Sequence, residues 1–82
     1  MTRAVETPVQ VVAGPEGRPR RFRWRRRWYA VSRVLDEWTD SGCWWEGEGE
    51  KRFFRVETAA GSMLELYRDV STSGWVLYRV YD

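Results

Sequence analysis

Apolar and polar residues alternate with a period of two over most of this chain, the signature of strands with one buried face. In "VETPVQVV", residues 5–12, Val5, Val9 and Val11 share one parity, and Pro8 marks an edge or a strand end. "AGPEGRP" follows and reads as a turn by its glycines and prolines. In "RPRRFRWRRRWYAV", residues 18–31, Phe22 and Trp24 alternate with Arg21, Arg23 and Arg25. A two-residue loop at Arg25-Arg26 sets Phe22 opposite Tyr29 and Trp24 opposite Arg27. Phe22, Trp24, Tyr29 and Val31 then share one face, and Arg21, Arg23 and Trp28 share the other. Such a loop needs positive φ, which Asn and Gly adopt at least cost, so Arg26 is strained there.

"VSRVLDEWTD", residues 31–40, has helical spacing at Val31, Val34, Leu35 and Trp38, and equally suits a bent strand with a bulge. In its all-β surroundings the strand is the expectation. The glycines of "SGCWWEGEGE" make it a loop. "KRFFRVET", "SMLELYRD" and "GWVLYRVYD" read as a three-strand meander. A three-residue loop, Ala59-Ala60-Gly61 with Gly61 left-handed, pairs Val56 with Leu64 and Phe54 with Leu66. "STSG" makes the second turn. Val76, Tyr78 and Val80 are expected on the core face, in competition with Trp75 and Leu77. Five or six short strands imply an all-β fold, a single curled antiparallel sheet or a small β-barrel, since a flat sheet of this size leaves one face bare.

At 82 residues one domain spanning 1–82 is expected, with an N-terminal strand and turn over 1–19. Six Trp, four Tyr and three Phe within a 43% hydrophobic composition supply a core and set the chain apart from disordered sequences. The N-terminal "MTRAVETPVQVVAG" lacks a basic stretch followed by an apolar one, so no signal peptide is expected. No apolar run approaches the roughly 20 residues of a membrane-spanning helix. Cys43 is the single cysteine and has no internal partner, which suits a reducing, cytoplasmic setting.

The absence of His removes the commonest general base and metal ligand. Cys43 without His makes neither a Cys–His nucleophile pair nor an ordinary zinc site. Glu46, Glu48 and Glu50 alternate with Gly, which suits a solvated turn better than a carboxylate pair or a magnesium site. The expectation is a protein that is not an enzyme and uses no cofactor and no metal.

Charge is unevenly distributed. Residues 18–33 hold eight Arg and no acid, while residues 34–50 hold Asp36, Glu37, Asp40, Glu46, Glu48 and Glu50 and no base. Adjacent blocks of opposite sign can neutralise one another in the fold. Against that stands a nucleic-acid reading for Arg21, Arg23, Arg25, Arg26, Arg27 and Trp28: arginines for phosphates, an indole for a base. Alternation weakens it, because Phe22, Trp24 and Tyr29 fall on the face opposite Arg21 and Arg23. Trp44 and Trp45 are neighbours, so on a strand they point to opposite faces and only one easily enters a given core. The other packs on guanidinium groups of Arg21, Arg23 or Arg27, or anchors a partner protein.

"FRWRRRWYAV", "WWEGEGEKRFFRV", "LELYRD" and "GWVLYRVYD" together resemble a small bacterial family without assigned activity, domain-of-unknown-function family 6504, over about residues 20–82. The family pattern has Gly where this chain has Arg26. The succession W-W-x-x-E, L-Y-R-D and W-x-x-x-x-V-Y-D is also similar to the C-terminal segment of ImuB-like proteins, inactive relatives of Y-family DNA polymerases. Those act in error-prone lesion bypass with a C-family polymerase and an ImuA-type partner. The resemblance implies an accessory of translesion synthesis, with components of that assembly as partners. It adds weight to a protein-interaction patch of Trp44, Trp45, Glu46, Tyr67, Arg68, Tyr81 and Asp82. Weak nucleic-acid binding is the alternative, and no membrane partner is expected.

Overall fold

Six antiparallel strands follow in chain order, β1 (Thr2–Ala13), β2 (Pro19–Trp24), β3 (Arg27–Asp40), β4 (Lys51–Thr58), β5 (Met63–Asp69) and β6 (Trp75–Tyr81). Each pairs with the next, and β1 returns to pair with β6, so the sheet closes into a barrel. This is a computed structural model; it describes residues 2–40 and 49–81. The all-β barrel expected from the patterning is what is found, and the described residues contain no helix.

Two strands each serve two partners. Residues 2–9 of β1 pair with β6, while Gln10–Ala13 pair with β2. In β3, Arg27–Ala30 pair with β2 and Val31–Asp40 pair with β4. The barrel therefore has a three-stranded side (end of β1, β2, start of β3) and a five-stranded side (end of β3, β4, β5, β6, start of β1). Pro8 sits near the crossover, in the half of β1 that has a partner on one edge only, the kind of position that tolerates proline.

Bulges make the bends. Between Val31 and Asp36, β3 carries two residues more than the matching stretch of β4, with register shifts at Val31/Arg33 and Val34/Asp36. The first shift lets Val31 and Val34, three apart, both pack on the core. That explains their helix-like spacing on a strand. Another bulge corrects the expectation for β6. Opposite Glu65 and Leu66 stand Arg79 and Leu77, so Tyr78 is an extra residue and parity flips across it. Leu77 and Val80 enter the core and Trp75 packs against it, whereas Val76 and Tyr78 do not join the core cluster.

The turns follow their sequence signals. Val56 pairs with Leu64 and Phe54 with Leu66, with Gly61 at φ 88° in the loop between. Asp69 accepts from the Ser71 backbone N–H at 3.0 Å and its hydroxyl at 2.7 Å, which shapes the β5–β6 turn. In β2–β3, Phe22 faces Tyr29 and Trp24 faces Arg27. Arg25 and Arg26 have φ of 53° and 64°, the primed hairpin geometry.

Phe22, Phe54, Val56, Leu64, Leu66, Leu77 and Val80 fill the barrel, with Val5, Val9, Val11, Trp24, Tyr29, Val31, Val34 and Trp75 packed around them. Phe22 and Tyr29 stack at 5.2 Å, which anchors the arginine hairpin to this core. Each fully buried side chain contributes roughly 1.5–3 kcal/mol, so a domain this small depends on every one.

Candidate interaction surfaces

On the three-stranded side, period-two patterning turns Phe22, Trp24 and Tyr29 inward and leaves Arg21, Arg23 and Trp28 exposed. Arg23 stands opposite Trp28 on β3 and opposite Gln10 on β1. Trp28 is 51% exposed, and the Arg21 guanidinium lies 5.4 Å from its ring. At the tip, Arg25 stacks 4.4 Å over Trp24. Arg25, Arg26 and Arg27 are all exposed. Among the described residues the ion pairs are Arg18–Glu37 at 3.3 Å, Arg33–Glu57 at 2.9 Å and Arg55–Glu65 at 3.1 Å. Arg20, Arg21, Arg23, Arg25, Arg26 and Arg27 take part in none of these. Of the described acids of residues 34–50, Glu37 pairs with Arg18 of the arginine run, while Glu46 and Glu48 lie outside the described residues.

A second surface lies on the outer face of the five-stranded side. Phe53 neighbours the buried Phe54 but points the other way, and it is 7% exposed because aromatic rings cover it. Trp38 stacks on it at 5.4 Å and 4°, Tyr67 tilts against it at 5.1 Å, and Tyr78 meets it edge-on at 5.3 Å. The cations Lys51, Arg55 and Arg79 sit over Tyr67, Trp38 and Tyr78 at 5.3, 5.5 and 4.9 Å. Beside them Glu65 is 3% exposed. Its carboxylate accepts from Arg55 Nε and Nη2 at 3.2 and 3.1 Å and from the Tyr81 hydroxyl. The hydrogen bond to Glu65, then burial, raise the Tyr81 pKa above the ordinary phenol value. The same carboxylate raises the Arg55 pKa.

Of the expected protein-interaction residues, Tyr67 and Tyr81 share this face. Arg68 does not: it has the parity of Leu64 and Leu66 and stands opposite Arg52 and Trp75 at one barrel end. Trp44, Trp45, Glu46 and Asp82 lie outside the described residues, as do Cys43 and Glu48. Glu50, the remaining member of the Glu-Gly run, is exposed ahead of β4. Sequence reasoning missed Trp38, Phe53, Tyr78, Lys51, Arg55 and Arg79. The β4–β5 hairpin register already placed Phe53 beside Tyr67. The spacing of Val31 and Val34 signalled a bulge in β3 but not the partner it gives Trp38, and the β6 bulge that brings in Tyr78 leaves no sequence mark. Among the described residues no group of three or more His, Cys, Asp or Glu is arranged to hold a metal ion. No helix of the described residues is long and apolar enough to cross a membrane.

Residues 1–82 match the family described as Domain of unknown function (DUF6504). The chain belongs to this family. The match takes in β1 and the β1–β2 turn as well as the region from residue 20 onward that carries the sequence resemblance. No curated protein and no solved structure matches this DUF6504 domain.

Proposed function

We propose that this DUF6504 domain is a non-enzymatic accessory of error-prone translesion DNA synthesis that holds a nucleic-acid backbone on the outer face of its three-stranded side. One observation carries the reading. Arg21 and Arg23 project from that face and Arg25, Arg26 and Arg27 from the hairpin tip beside it, with no carboxylate paired to them among the described residues. Phosphates supply the missing counter-charge. The neighbouring rings Phe22, Trp24 and Tyr29 are turned into the barrel, so Trp28 is the one indole available to a base on this face. Binding of this kind follows the backbone and is indifferent to sequence. The process is suggested by the similarity of "WWEGE", "LYRD" and "WVLYRVYD" to the ImuB-like C-terminal segment.

Fluorescence anisotropy with labelled duplex and single-stranded oligonucleotides tests it. If five arginines each meet one duplex phosphate, log K falls against log salt with a slope of about −4.5. Replacing Arg23 and Arg25 by Glu weakens binding equally on unrelated sequences. No binding at low salt, or a slope near zero, overturns the reading.

A second reading, a protein-interaction module, is favoured by the ring cluster of Trp38, Phe53, Tyr67 and Tyr78 on an outer sheet face, where polar residues are the rule. Aromatic and arginine side chains dominate interface hot spots. Its test is binding of the purified domain to a purified ImuB-like protein and C-family polymerase, with Trp38→Ala as the probe. Equal binding by the variant and the parent removes this surface from consideration.

A further inference from the structure

One end of the barrel is bounded by the β1–β2 and β5–β6 turns, and two arginines stand there side by side. Arg52 on β4 is directly opposite Arg68 on β5. Both have the parity of the core residues, Phe54 and Val56 on one strand and Leu64 and Leu66 on the other. Both are half-buried. Like charges directly opposite one another in an antiparallel ladder are destabilising, and no carboxylate of the described residues pairs with either. The Arg52 guanidinium lies 5.4 Å over the Phe54 ring and reaches toward Gly17, 3.4 Å from where a Cβ would stand. That glycine has φ 81°, a conformation that a residue with a Cβ rarely adopts. Across the ladder from Arg68 is Trp75, whose ring meets Phe54 at 5.6 Å. Two guanidinium groups without a carboxylate partner among the described residues thus stand at the rim of a floor made of two aromatic rings.

We propose that this barrel end is a phosphate-binding site, with Arg52 and Arg68 sharing one phosphate and Trp75 offering a face to the attached base. A guanidinium fork matches phosphate oxygens bidentately, and one dianion between two forks turns a repulsive pair into charge-assisted hydrogen bonds. The apolar floor strengthens the attraction by keeping high-dielectric solvent from one side. The ligand is the terminal phosphate of a nucleotide or strand. That identity rests on the nucleic-acid reading above, whereas the oxyanion chemistry rests on the arginine pair alone.

Thermal melts at constant ionic strength, with inorganic phosphate replacing chloride, test the site. Phosphate raises the melting temperature of the intact chain. Arg68→Gln abolishes that rise and melts no lower than the intact chain in chloride, because one of two repelling charges is gone. A 5′-phosphorylated oligonucleotide binds the intact chain about tenfold more tightly than its 5′-hydroxyl twin, the value of one charged hydrogen-bonded contact, and Arg68→Gln erases the difference. An Arg23→Glu/Arg25→Glu variant keeps the phosphate response, which separates this site from the hairpin face. Nuclear magnetic resonance of the arginine Nε–H groups on the intact chain covers the case of a variant that does not fold: phosphate must shift Arg52 and Arg68 ahead of Arg21 and Arg23. The proposal is overturned if phosphate leaves the melting temperature unmoved, if it acts equally on Arg68→Gln, or if the hairpin arginines respond first. A response to inorganic phosphate with no preference for the 5′-phosphorylated strand keeps the oxyanion site and removes the strand end as its ligand.

Discussion

Replacing Arg26 by Gly should make the domain more stable and a poorer binder of nucleic acid. Arg26 has φ 64° and follows Arg25 at φ 53° in the β2–β3 turn. A side chain with a Cβ costs roughly 1–2 kcal/mol in the left-handed region, which Gly occupies freely. Glycine returns roughly 0.5–1 kcal/mol of that through the extra freedom of the unfolded chain. The net gain is about 0.5–1 kcal/mol, or roughly 3–6 °C in melting temperature for a domain of this size. Arg25 keeps its 4.4 Å stack on Trp24, so that contact does not enter the difference. Removing one charge from a crowded run also relieves repulsion, and Arg26→Ala isolates this part because it drops the charge while retaining the Cβ. Urea and thermal melts of the parent, Arg26→Gly and Arg26→Ala decide the matter. If the Gly variant is no more stable than the Ala variant, the backbone at position 26 is unstrained and the reasoning fails. In the anisotropy assay the Gly variant's salt slope should be shallower by about 0.9, one phosphate contact fewer. A strained turn kept together with its charge fits a site held for binding at the expense of stability.

Phe54→Ala removes a fully buried ring at the centre of the core and should cost about 3–5 kcal/mol in urea unfolding; a loss under 1 kcal/mol would contradict its central place. Trp28→Ala, on a half-exposed side chain, should leave the melting temperature within a few degrees of the parent while lowering affinity for single strands. The raised pKa of Tyr81 makes stability pH-dependent at alkaline pH: the unfolded phenol ionises first, so the contribution is complete below about pH 10 and is lost as pH rises through the higher folded value. Tyr81→Phe should flatten that decline, as read from unfolding free energies between neutral and alkaline pH. Deleting Ser32, the extra residue of the first β3 register shift, leaves Val31 opposite Thr58 and Val34 opposite Val56 with both on the core face. The chain should still fold, with a lower melting temperature because the bend of β3 is lost; a chain without near-ultraviolet dichroism would contradict this.

The meander was legible because its signals are local. Gly61 sets the β4–β5 loop, the loop sets the register, and the register pairs Val56 with Leu64. The arginine hairpin was legible for the same reason, down to Phe22 against Tyr29. What stayed hidden depends on where bulges fall: spacing hinted at one in β3, but nothing in the sequence announced the one in β6. One extra residue at Tyr78 reverses the faces of β6 and brings in Leu77 where strict alternation favours Tyr78. The outer aromatic cluster was hidden with it, since Trp38 meets Phe53 only after two register shifts in β3.

The same shifts decide which bases the described acids of β3 stand against. Along the chain the acidic block follows the basic one directly, and in a straight hairpin the two would lie side by side. β3 instead leaves the three-stranded side after Ala30 and joins β4 from Val31 onward, bending at its two bulges. Asp36 is carried opposite Arg55, Asp40 opposite Lys51, and Glu37 to Arg18 in the β1–β2 turn region. Asp36 and Asp40 thus stand opposite bases of β4, and Glu37 meets the first arginine of the run rather than the hairpin. Nearness along the chain is not nearness in space once a strand passes between sheets, so the near-neutral net charge of +2 coexists with a strongly basic face. Such a face raises the local concentration of a polyanion and depends steeply on salt. Which described acids lie near that face is set by where β3 bends, so on the proposed reading a variant that straightened the strand would alter nucleic-acid binding without touching a single arginine.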